Sequence, residues 1–243
     1  ISRKISARAG YMFKQGVDLV KSYQCDSIIS FACGYSMLGF LIAQASNTDV
    51  RVIDTDLAEI ILDRQKRLSL LPLSPAQRVL MEKAALLQFD IEHAAQEGQA
   101  LESCFKQCSR PLILLEGITY FLSPSSRDWL IDAIKDWSQA CIVMDYWPMN
   151  SLEISAKLKS SFERNLNQDF KEKLKSFMPD KSIAELKAHY NATDISIGKA
   201  EAQLSSAAGE QPLLTDQNEY YPIRIFTGIP KNSVAIEGMA DLE

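Results

Sequence analysis

Residues 111–117, Pro-Leu-Ile-Leu-Leu-Glu-Gly, decide the fold of this chain. The first five carry no charge, and the run closes abruptly on an acidic residue, Glu116, and a glycine, Gly117. An uninterrupted apolar run of this length is typical of a strand that is buried on both faces, as in a parallel sheet. We therefore expect a central parallel sheet with helices packed on both of its sides.

Short β-prone segments alternate with helix-like segments along the first 145 residues. The predicted strands are 27–31, 50–54, 85–89, 111–115 and 141–145, and the predicted helices are 9–22, 36–45, 57–70 and one that opens at Ser123-Pro124. Serine followed by proline is typical of a helix start, because serine caps the helix and proline suits its first position. The alternation predicts a doubly wound α/β sheet.

The last part of the chain departs from this alternation. Residues 194–204 and 219–229 are both β-prone, and the stretch between them is polar and loop-like. Two strands without a crossover helix between them are expected to pair antiparallel. The fold prediction is therefore a seven-stranded, mostly parallel, Rossmann-like sheet that ends in an antiparallel hairpin.

A charged, helix-like stretch separates the fifth and sixth predicted strands. Its apolar residues recur at spacings of four, four, four and three: Phe162, Leu166, Phe170, Leu174 and Phe177. This periodicity indicates an amphipathic helix packed on the core, which is also compatible with a lid over a pocket. We expect residues 1–243 to form one domain, with a helical insertion at about 146–190 and a flexible tail at 231–243.

Composition limits the partners of the chain. It has 243 residues, 47% of them hydrophobic, and a formal net charge of −5. This acidic balance argues against nucleic acid as the main partner, since phosphate neutralisation needs clustered lysine and arginine. No apolar run approaches the roughly 20 residues of a membrane span, so no membrane partner is expected. The first residue is Ile1 rather than methionine, so we expect an upstream segment in the full protein.

The cysteines predict a reducing compartment. They are odd in number and scattered through apolar contexts, which argues against a disulfide framework and favours the cytoplasm. Cys104 and Cys108 stand four residues apart. Neither histidine lies near them in sequence, so we expect no metal site.

Acidic residues follow four predicted strands in succession. They are Asp54 and Asp56, Asp90, Glu116 and Asp145, whereas the first strand leads into Ala32-Cys33-Gly34. Ligands of open α/β sheets bind outside the carboxyl ends of the strands. An acidic rim suits a ligand with a ribose, an adenine amine and an ammonium better than one with a pyrophosphate. The dinucleotide pattern G-x-G-x-x-G also fails here, because Ala32 and Met37 occupy its first and third positions.

Five segments together resemble the leucine carboxyl methyltransferase family, including its bacterial relatives that methylate polyketide-like small molecules. Residues 27–36, SIISFACGYS, resemble the family segment VVNLGAGFD, and residues 52–61, VIDTDLAEII, resemble YEVDFPEVI. Residues 115–122, LEGITYFL, are close to EGVTYYL and form the most specific match. Phe89-Asp90-Ile91 resembles the family's DL step, and Ala7-Arg8 resembles its arginine, which is followed by a helix.

The resemblance implies S-adenosylmethionine as the cofactor. Arg8 would hold the methionyl carboxylate by a charge-assisted bond, and Glu116 would lie near the methionyl ammonium. Ala32 and Gly34 would line the methionyl group. Two departures stand out, since Ala32 replaces the family's first glycine and Ser36 its aspartate. The additional methyl of Ala32 predicts a reduced cofactor affinity.

The resemblance also implies the residues that hold the adenosine part. Asp56 would accept the ribose hydroxyls, and Asp90 with the Ile91 backbone would hold the adenine edge. The matches run from about residue 7 to residue 122, whereas the region after residue 145 matches only in outline. A cofactor site is therefore predicted, and the methyl acceptor is not.

The resulting expectation is an O-methyltransferase that acts on a carboxylate or hydroxyl of a small molecule or a protein C-terminus. A carboxylate acceptor needs no base, whereas a phenol or enol would use one. The possible bases are His93, His189, Tyr120 and Tyr146, and the sequence names none of them as catalytic.

Two alternatives belong to other classes. The first is a non-catalytic protein of the same fold that binds cofactor or a partner, as the departures at Ala32 and Ser36 suggest. The second is a nicotinamide-dependent oxidoreductase, which the failed dinucleotide pattern makes the weaker of the two.

Overall fold

A computed structural model describes residues 2–149, 174–212 and 223–232. Within them the sheet has seven strands: β1 (Ser27–Phe31), β2 (Arg51–Asp56), β3 (Ala85–Gln88), β4 (Pro111–Leu115), β5 (Cys141–Tyr146), β6 (Tyr190–Ser196) and β7 (Arg224–Pro230). Their order is β3-β2-β1-β4-β5-β7-β6. The first five strands are parallel, and β7 runs antiparallel to both of its neighbours. The predicted fold class is confirmed.

Helices cover both faces of the sheet. They are α1 (Ser2–Ser22), α2 (Leu38–Ser46), α3 (Ala58–Ser69), α4 (Pro75–Lys83), α5 (Ile91–Gln96), α6 (Leu101–Cys104), α7 (Pro124–Asp136), α8 (Asp180–His189) and α9 (Ile197–Ala207). One buried cluster joins α1, α2 and α9 to the sheet, and a second joins α5 to α8 to its other face. Every residue of β1, β4 and β5 is buried, as their apolar runs predict.

Helix α4 was not expected from the hydrophobic pattern, because none of its residues is buried. Its start nevertheless carries a clear local signal. Ser74 and Gln77 form a capping box, and Pro75 occupies the first helical turn. This is the Ser-Pro signature that correctly placed α7 at Pro124.

The prediction of a strand over 194–204 is wrong for most of its length. Strand β6 ends at Ser196, and α9 follows at once. The Ser196 hydroxyl caps this helix by accepting the Lys199 N–H, which explains why the chain turns helical there. The antiparallel pairing of β6 with β7 is confirmed even though a helix, rather than a loop, lies between them.

The predicted helical insertion is described only at its ends. Phe162, Leu166 and Phe170 lie outside the described residues, as do 219–222 of the last predicted strand and 233–243 of the tail. Leu174 and Phe177 are buried but not helical, and they pack in a cluster with Trp147. The helical part of the described insertion begins at Asp180.

Helix α1 fixes the position of Arg8. It begins at Ser2, well before the predicted start at residue 9, so Arg8 lies inside the helix rather than ahead of it. The helix packs against α2 at Gly16, where a Cβ would overlap the fully buried Ile42. It also touches α9 and the β4–β5 region of the sheet. This packing carries the guanidinium of Arg8 to the tips of β4 and β5.

Candidate functional site

The turn after β1, residues 32–37, is called the β1 loop here. Two of its residues are left-handed, Ala32 with φ 49° and Gly34 with φ 51°. Glycine adopts this conformation freely, whereas an alanine is strained in it. The Cys33 N–H donates to Thr55 O at 3.0 Å, so the loop is joined to β2. No atom would lie within 4 Å of a Cβ added at Gly34, so this side of the loop borders open space among the described residues.

Asp56 lies at the tip of β2 and binds the β1 loop. Its Oδ2 accepts the Gly34 N–H at 2.7 Å, and its Oδ1 accepts the Leu57 N–H at 2.7 Å. A carboxylate oxygen has two lone pairs, so each oxygen keeps acceptor capacity for a ligand hydroxyl.

Glu116 lies at the tip of β4 and binds the same loop. Its Oε2 accepts the Ser36 hydroxyl at 2.7 Å, and its Oε1 accepts Arg8 Nη2 at 3.1 Å. Gly34 and Ser36 are two residues apart, so at most about 7 Å separates their Cα atoms. The structure therefore brings the predicted residues Asp56 and Glu116 to two nearby residues of one short loop.

Arg8 contacts three side chains at the tips of β4 and β5. Besides Glu116, its Nη1 donates to Tyr120 Oη and to Asp145 Oδ2, each at 3.3 Å. Burial works against the charged form of Arg8, but Asp145, Tyr120 and Glu116 outweigh it and raise the pKa above its ordinary value. The buried Nε of Arg8 has no hydrogen-bond partner among the described residues.

Asp145 forms the buried centre of this cluster. Its Oδ1 accepts the Gly117 N–H at 2.5 Å, and its carbonyl accepts the Thr119 hydroxyl at 3.0 Å. Burial raises the pKa of the Asp145 carboxyl, while the nearby Arg8 opposes that rise. A Cβ at Gly117, where φ is +74°, would lie 3.5 Å from both Arg8 Nη1 and Tyr120 Oη, so the turn fits closely against the cluster.

Asp54 has a different role from Asp56. It is 1% exposed and forms an ion pair with Arg64 of α3, which is 2% exposed. This contact uses the carboxylate inside the protein, so Asp54 does not belong to the acidic rim that the sequence predicts. Arg64 was missed in the sequence, although Ile61 and Leu68 place it on the buried face of α3.

Asp90 and Ile91 lie on the far side of Asp56 from the Arg8 cluster. Phe89 donates its N–H to Asp56 O at 2.9 Å, which places Asp90 close to the tip of β2. Asp90 is exposed and caps α5, since its Oδ1 accepts the N–H groups of Glu92 and His93. Ile91 is buried in the core. Among the described residues, no hydrogen bond or ion pair joins Asp90 or Ile91 to Arg8 or Glu116.

The four possible bases lie in different places. Tyr120 contacts Arg8 and Asp145. Tyr146 donates to Asp194 at 2.9 Å, and burial raises the pKa of its hydroxyl. His93 is exposed on α5. His189 ends α8 directly before β6, and it lies at the end of the sheet opposite the strand tips because β6 runs in the same direction as β5. Tyr120 is the one of the four that belongs to the described cluster.

The part of the chain that the structure describes contains no group of three or more His, Cys, Asp or Glu side chains placed to hold a metal ion. In the same residues, the helices are too short or too polar to cross a membrane.

Several solved structures that superpose on this chain are methyltransferases. A Thermobifida fusca protein assigned as a methyltransferase superposes with a TM-score of 0.64 at 15% identity, over 94% of this chain and 82% of that one. The chain has a class I methyltransferase fold. An O-methyltransferase family protein from Burkholderia thailandensis gives a TM-score of 0.59 at 11% identity, over 92% of this chain and 56% of that one.

Human N-acetylserotonin methyltransferase in complex with SAM is similar as well. Its TM-score is 0.53 at 8% identity, over 95% of this chain and 58% of that one. No family model and no curated protein sequence matches the chain. At these identities the likeness shows the methyltransferase fold, and it is consistent with the resemblance read from the sequence.

Proposed function

We propose that the chain binds S-adenosylmethionine at the tips of β1, β2 and β4 and transfers the methyl group to an oxygen. The acceptor would be a carboxylate or hydroxyl of a small molecule or of a protein C-terminus. One observation carries the proposal, namely that Asp56 and Glu116 bind Gly34 and Ser36 of the same β1 loop on a methyltransferase fold. Carboxylates in this arrangement can bind a ribose on one side and an ammonium on the other.

The methionyl end of the cofactor fits the cluster around Arg8. Its buried Nε has no described partner, and a ligand carboxylate would supply the missing acceptor. Glu116 is 15% exposed at its side chain and can accept from an ammonium while it keeps the Ser36 hydroxyl. Arg8 and Glu116 pair with each other at 3.1 Å, and they would exchange part of this ion pair for the charges of the ligand.

The adenosyl end fits the neighbouring tips. Open space beside Gly34 lets a ligand approach the backbone, and Asp56 retains lone pairs for the ribose hydroxyls. Both described bonds of Asp90 go to its Oδ1, so Oδ2 is available to an adenine amine. Ala32 would line the methionyl group, and Ile91 would contribute its backbone at the adenine edge.

When bound, the cofactor supplies a sulfonium methyl whose transfer needs no protonation of the leaving sulfur. The task of the chain is to align an acceptor oxygen with that methyl and to exclude water. Among the four candidate bases, Tyr120 is the one that contacts Arg8 and Asp145 of the proposed site. An ionised carboxylate acceptor would not require Tyr120 as a base, whereas a phenol or enol would benefit from one.

A cofactor-binding protein without turnover is the second candidate. The left-handed Ala32 favours it, because its methyl stands at the strand tip where the family has a glycine. A nicotinamide-dependent oxidoreductase is less compatible with the topology. The usual dinucleotide fold is all parallel in the order 3-2-1-4-5-6, whereas β7 here is inserted antiparallel between β5 and β6.

Titration calorimetry with S-adenosylhomocysteine and, separately, with NAD tests the proposal. We expect saturable binding of S-adenosylhomocysteine and none of NAD. Binding of NAD alone would overturn the assignment. Methyl transfer from labelled cofactor to a panel of carboxylic acids and phenols then separates an enzyme from a binding protein.

A further inference from the structure

The buried arginine of α3, Arg64, holds the β1 loop from the interior of the protein. Its Nη1 donates to Gly34 O at 3.1 Å, and its Nη2 donates to Ser36 O at 2.6 Å. Nη2 also pairs with the carboxylate of Asp54. The guanidinium lies over the Phe40 ring, 5.9 Å from its centroid. Strand β2, α2 and α3 thus fix the orientation of this one side chain.

The two carbonyls that Arg64 binds belong to Gly34 and Ser36. These two residues also bind the carboxylate side chains that we propose hold the cofactor. Gly34 donates its N–H to Asp56, and Ser36 donates its hydroxyl to Glu116. In a planar trans peptide the carbonyl and the following N–H point in opposite directions. Arg64 therefore also directs the N–H groups of Tyr35 and Met37 away from the protein interior.

Arginine suits this task for a geometric reason. Its planar fork presents several N–H donors in fixed directions, so one side chain can bind two carbonyls and a carboxylate together. Lysine carries the same charge on a point-like ammonium and lacks that fork. The charge alone would satisfy Asp54, whereas the fork is needed to hold both carbonyls of the loop.

We propose that Arg64 is a positioning residue for the cofactor, which sets the β1 loop in the conformation that Asp56 and Glu116 require. This inference rests on the proposed function, because it assigns Arg64 to the same ligand. Arg64 does not touch that ligand, and it acts through the backbone of Gly34 and Ser36.

Three variants test this inference. Arg64→Lys keeps the charge and loses the fork, and the double variant Asp54→Asn with Arg64→Met removes both buried charges together. Lys66→Met is the matched control, since Lys66 lies on the same helix and is exposed, whereas Arg67 lies over the ring of Tyr35 in the β1 loop, 4.8 Å from its centroid. Affinity for S-adenosylhomocysteine is measured by calorimetry and folding by thermal unfolding. Amide exchange is followed by NMR at Gly34 and Ser36, whose N–H groups donate to Asp56 and to Cys33 O.

We expect both Arg64 variants to bind S-adenosylhomocysteine roughly tenfold more weakly or worse, because the N–H groups of the β1 loop lose their fixed directions. Their Gly34 and Ser36 amides should exchange faster, and Lys66→Met should match the wild type in both readouts. Wild-type affinity in the folded double variant would show that Arg64 only balances Asp54, and it would overturn the inference. If the wild type itself fails to bind the ligand, the proposed function fails, and unchanged amide exchange in the variants would then refute the role in the loop independently.

Discussion

Arg8 and Asp145 join the first helix to the middle of the sheet through a partly buried ion pair. Arg8 Nη1 lies 3.3 Å from Asp145 Oδ2, and the Asp145 side chain is fully buried. Tyr120 and Glu116 complete the surroundings of the guanidinium. The pair links the packing of α1 to the geometry of the strand tips, so its removal should affect both stability and ligand binding.

Arg8→Met should destabilise the fold in a pH-dependent way. Removing one partner of a buried pair costs about 3–5 kcal/mol at neutral pH, because the other charge stays buried. The folded pKa of Asp145 is already raised by burial, and without Arg8 it rises further. A raised folded pKa favours folding below the unfolded pKa and loses that advantage as the pH rises.

The cost of Arg8→Met should therefore be larger at about pH 7 than at about pH 4, where Asp145 is closer to neutral in both states. Denaturant unfolding at the two pH values measures it. Lys14→Met is the control on the same helix, since Lys14 is 48% exposed. An equal cost at both pH values would refute the link between Arg8 and Asp145.

Asp56→Asn should weaken binding of S-adenosylhomocysteine by about 1–3 kcal/mol, the range for a lost charged hydrogen-bond partner. The amide can still accept one of the two N–H groups that Asp56 binds, so the fold should survive. Calorimetry gives the affinity, and Asp49→Asn serves as an exposed control. Unchanged affinity in a folded Asp56→Asn protein would remove Asp56 from the site.

Glu92 should contribute stability that is lost in acid. Burial alone would raise the pKa of Glu92, but the hydroxyls of Ser126 and Ser123 and the Ser123 N–H outweigh burial and lower it to about 2. A lowered folded pKa stabilises the fold above the unfolded value, ordinarily 4.5, and this contribution disappears as the pH falls towards about 2.

Glu92→Gln should thus cost about 1 kcal/mol or more at neutral pH, and the cost should fall progressively between about pH 4.5 and about pH 2. The comparison is made by denaturant unfolding, with Glu82→Gln on α4 as the exposed control. A cost that does not change with pH would show that Glu92 stabilises the start of α7 through the packing of its side chain and not through its charge.

Gly16→Ala should destabilise the protein by about 1–3 kcal/mol through overpacking. The new Cβ would overlap Ile42 Cδ1, so this fully buried side chain would have to shift. Gly10→Ala on the same helix is the control, because its Cβ would meet only Leu204 Cδ1 at 3.2 Å. Combining Gly16→Ala with Ile42→Val should recover part of the loss, and a Gly16→Ala protein as stable as the wild type would contradict the packing of α1 on α2.

The sequence predicted β1, β4 and β5 well because these strands are buried on both faces. An uninterrupted apolar run such as 111–115 is typical of a strand buried on both faces, and the neighbouring strands β1 and β5 are buried in the same way. The same reasoning missed α4, which buries none of its residues and therefore leaves no periodic signal. It also missed α9, because 197–204 is apolar enough to suggest a strand and only the Ser196 cap marks the change.

Candidate ligand-binding residues were predictable where their position at the end of a strand is enough to place them in the site. Asp56 and Glu116 end strands, and parallel strands bring their carboxyl ends to one edge. The ion pair between Asp54 and Arg64 was not predictable, because it depends on how deeply each side chain is buried. Strand β2 runs two residues beyond the predicted end at residue 54, so Asp54 lies within the strand and pairs with Arg64 instead of facing a ligand.

A crystal structure of the complex with S-adenosylhomocysteine tests the central claim most directly. The ribose hydroxyls should lie about 3 Å from the Asp56 carboxylate, and the methionyl ammonium should lie at a similar distance from Glu116, with the ligand carboxylate against Arg8. A ligand bound elsewhere, or one that reaches only one of Asp56 and Glu116, would contradict the account.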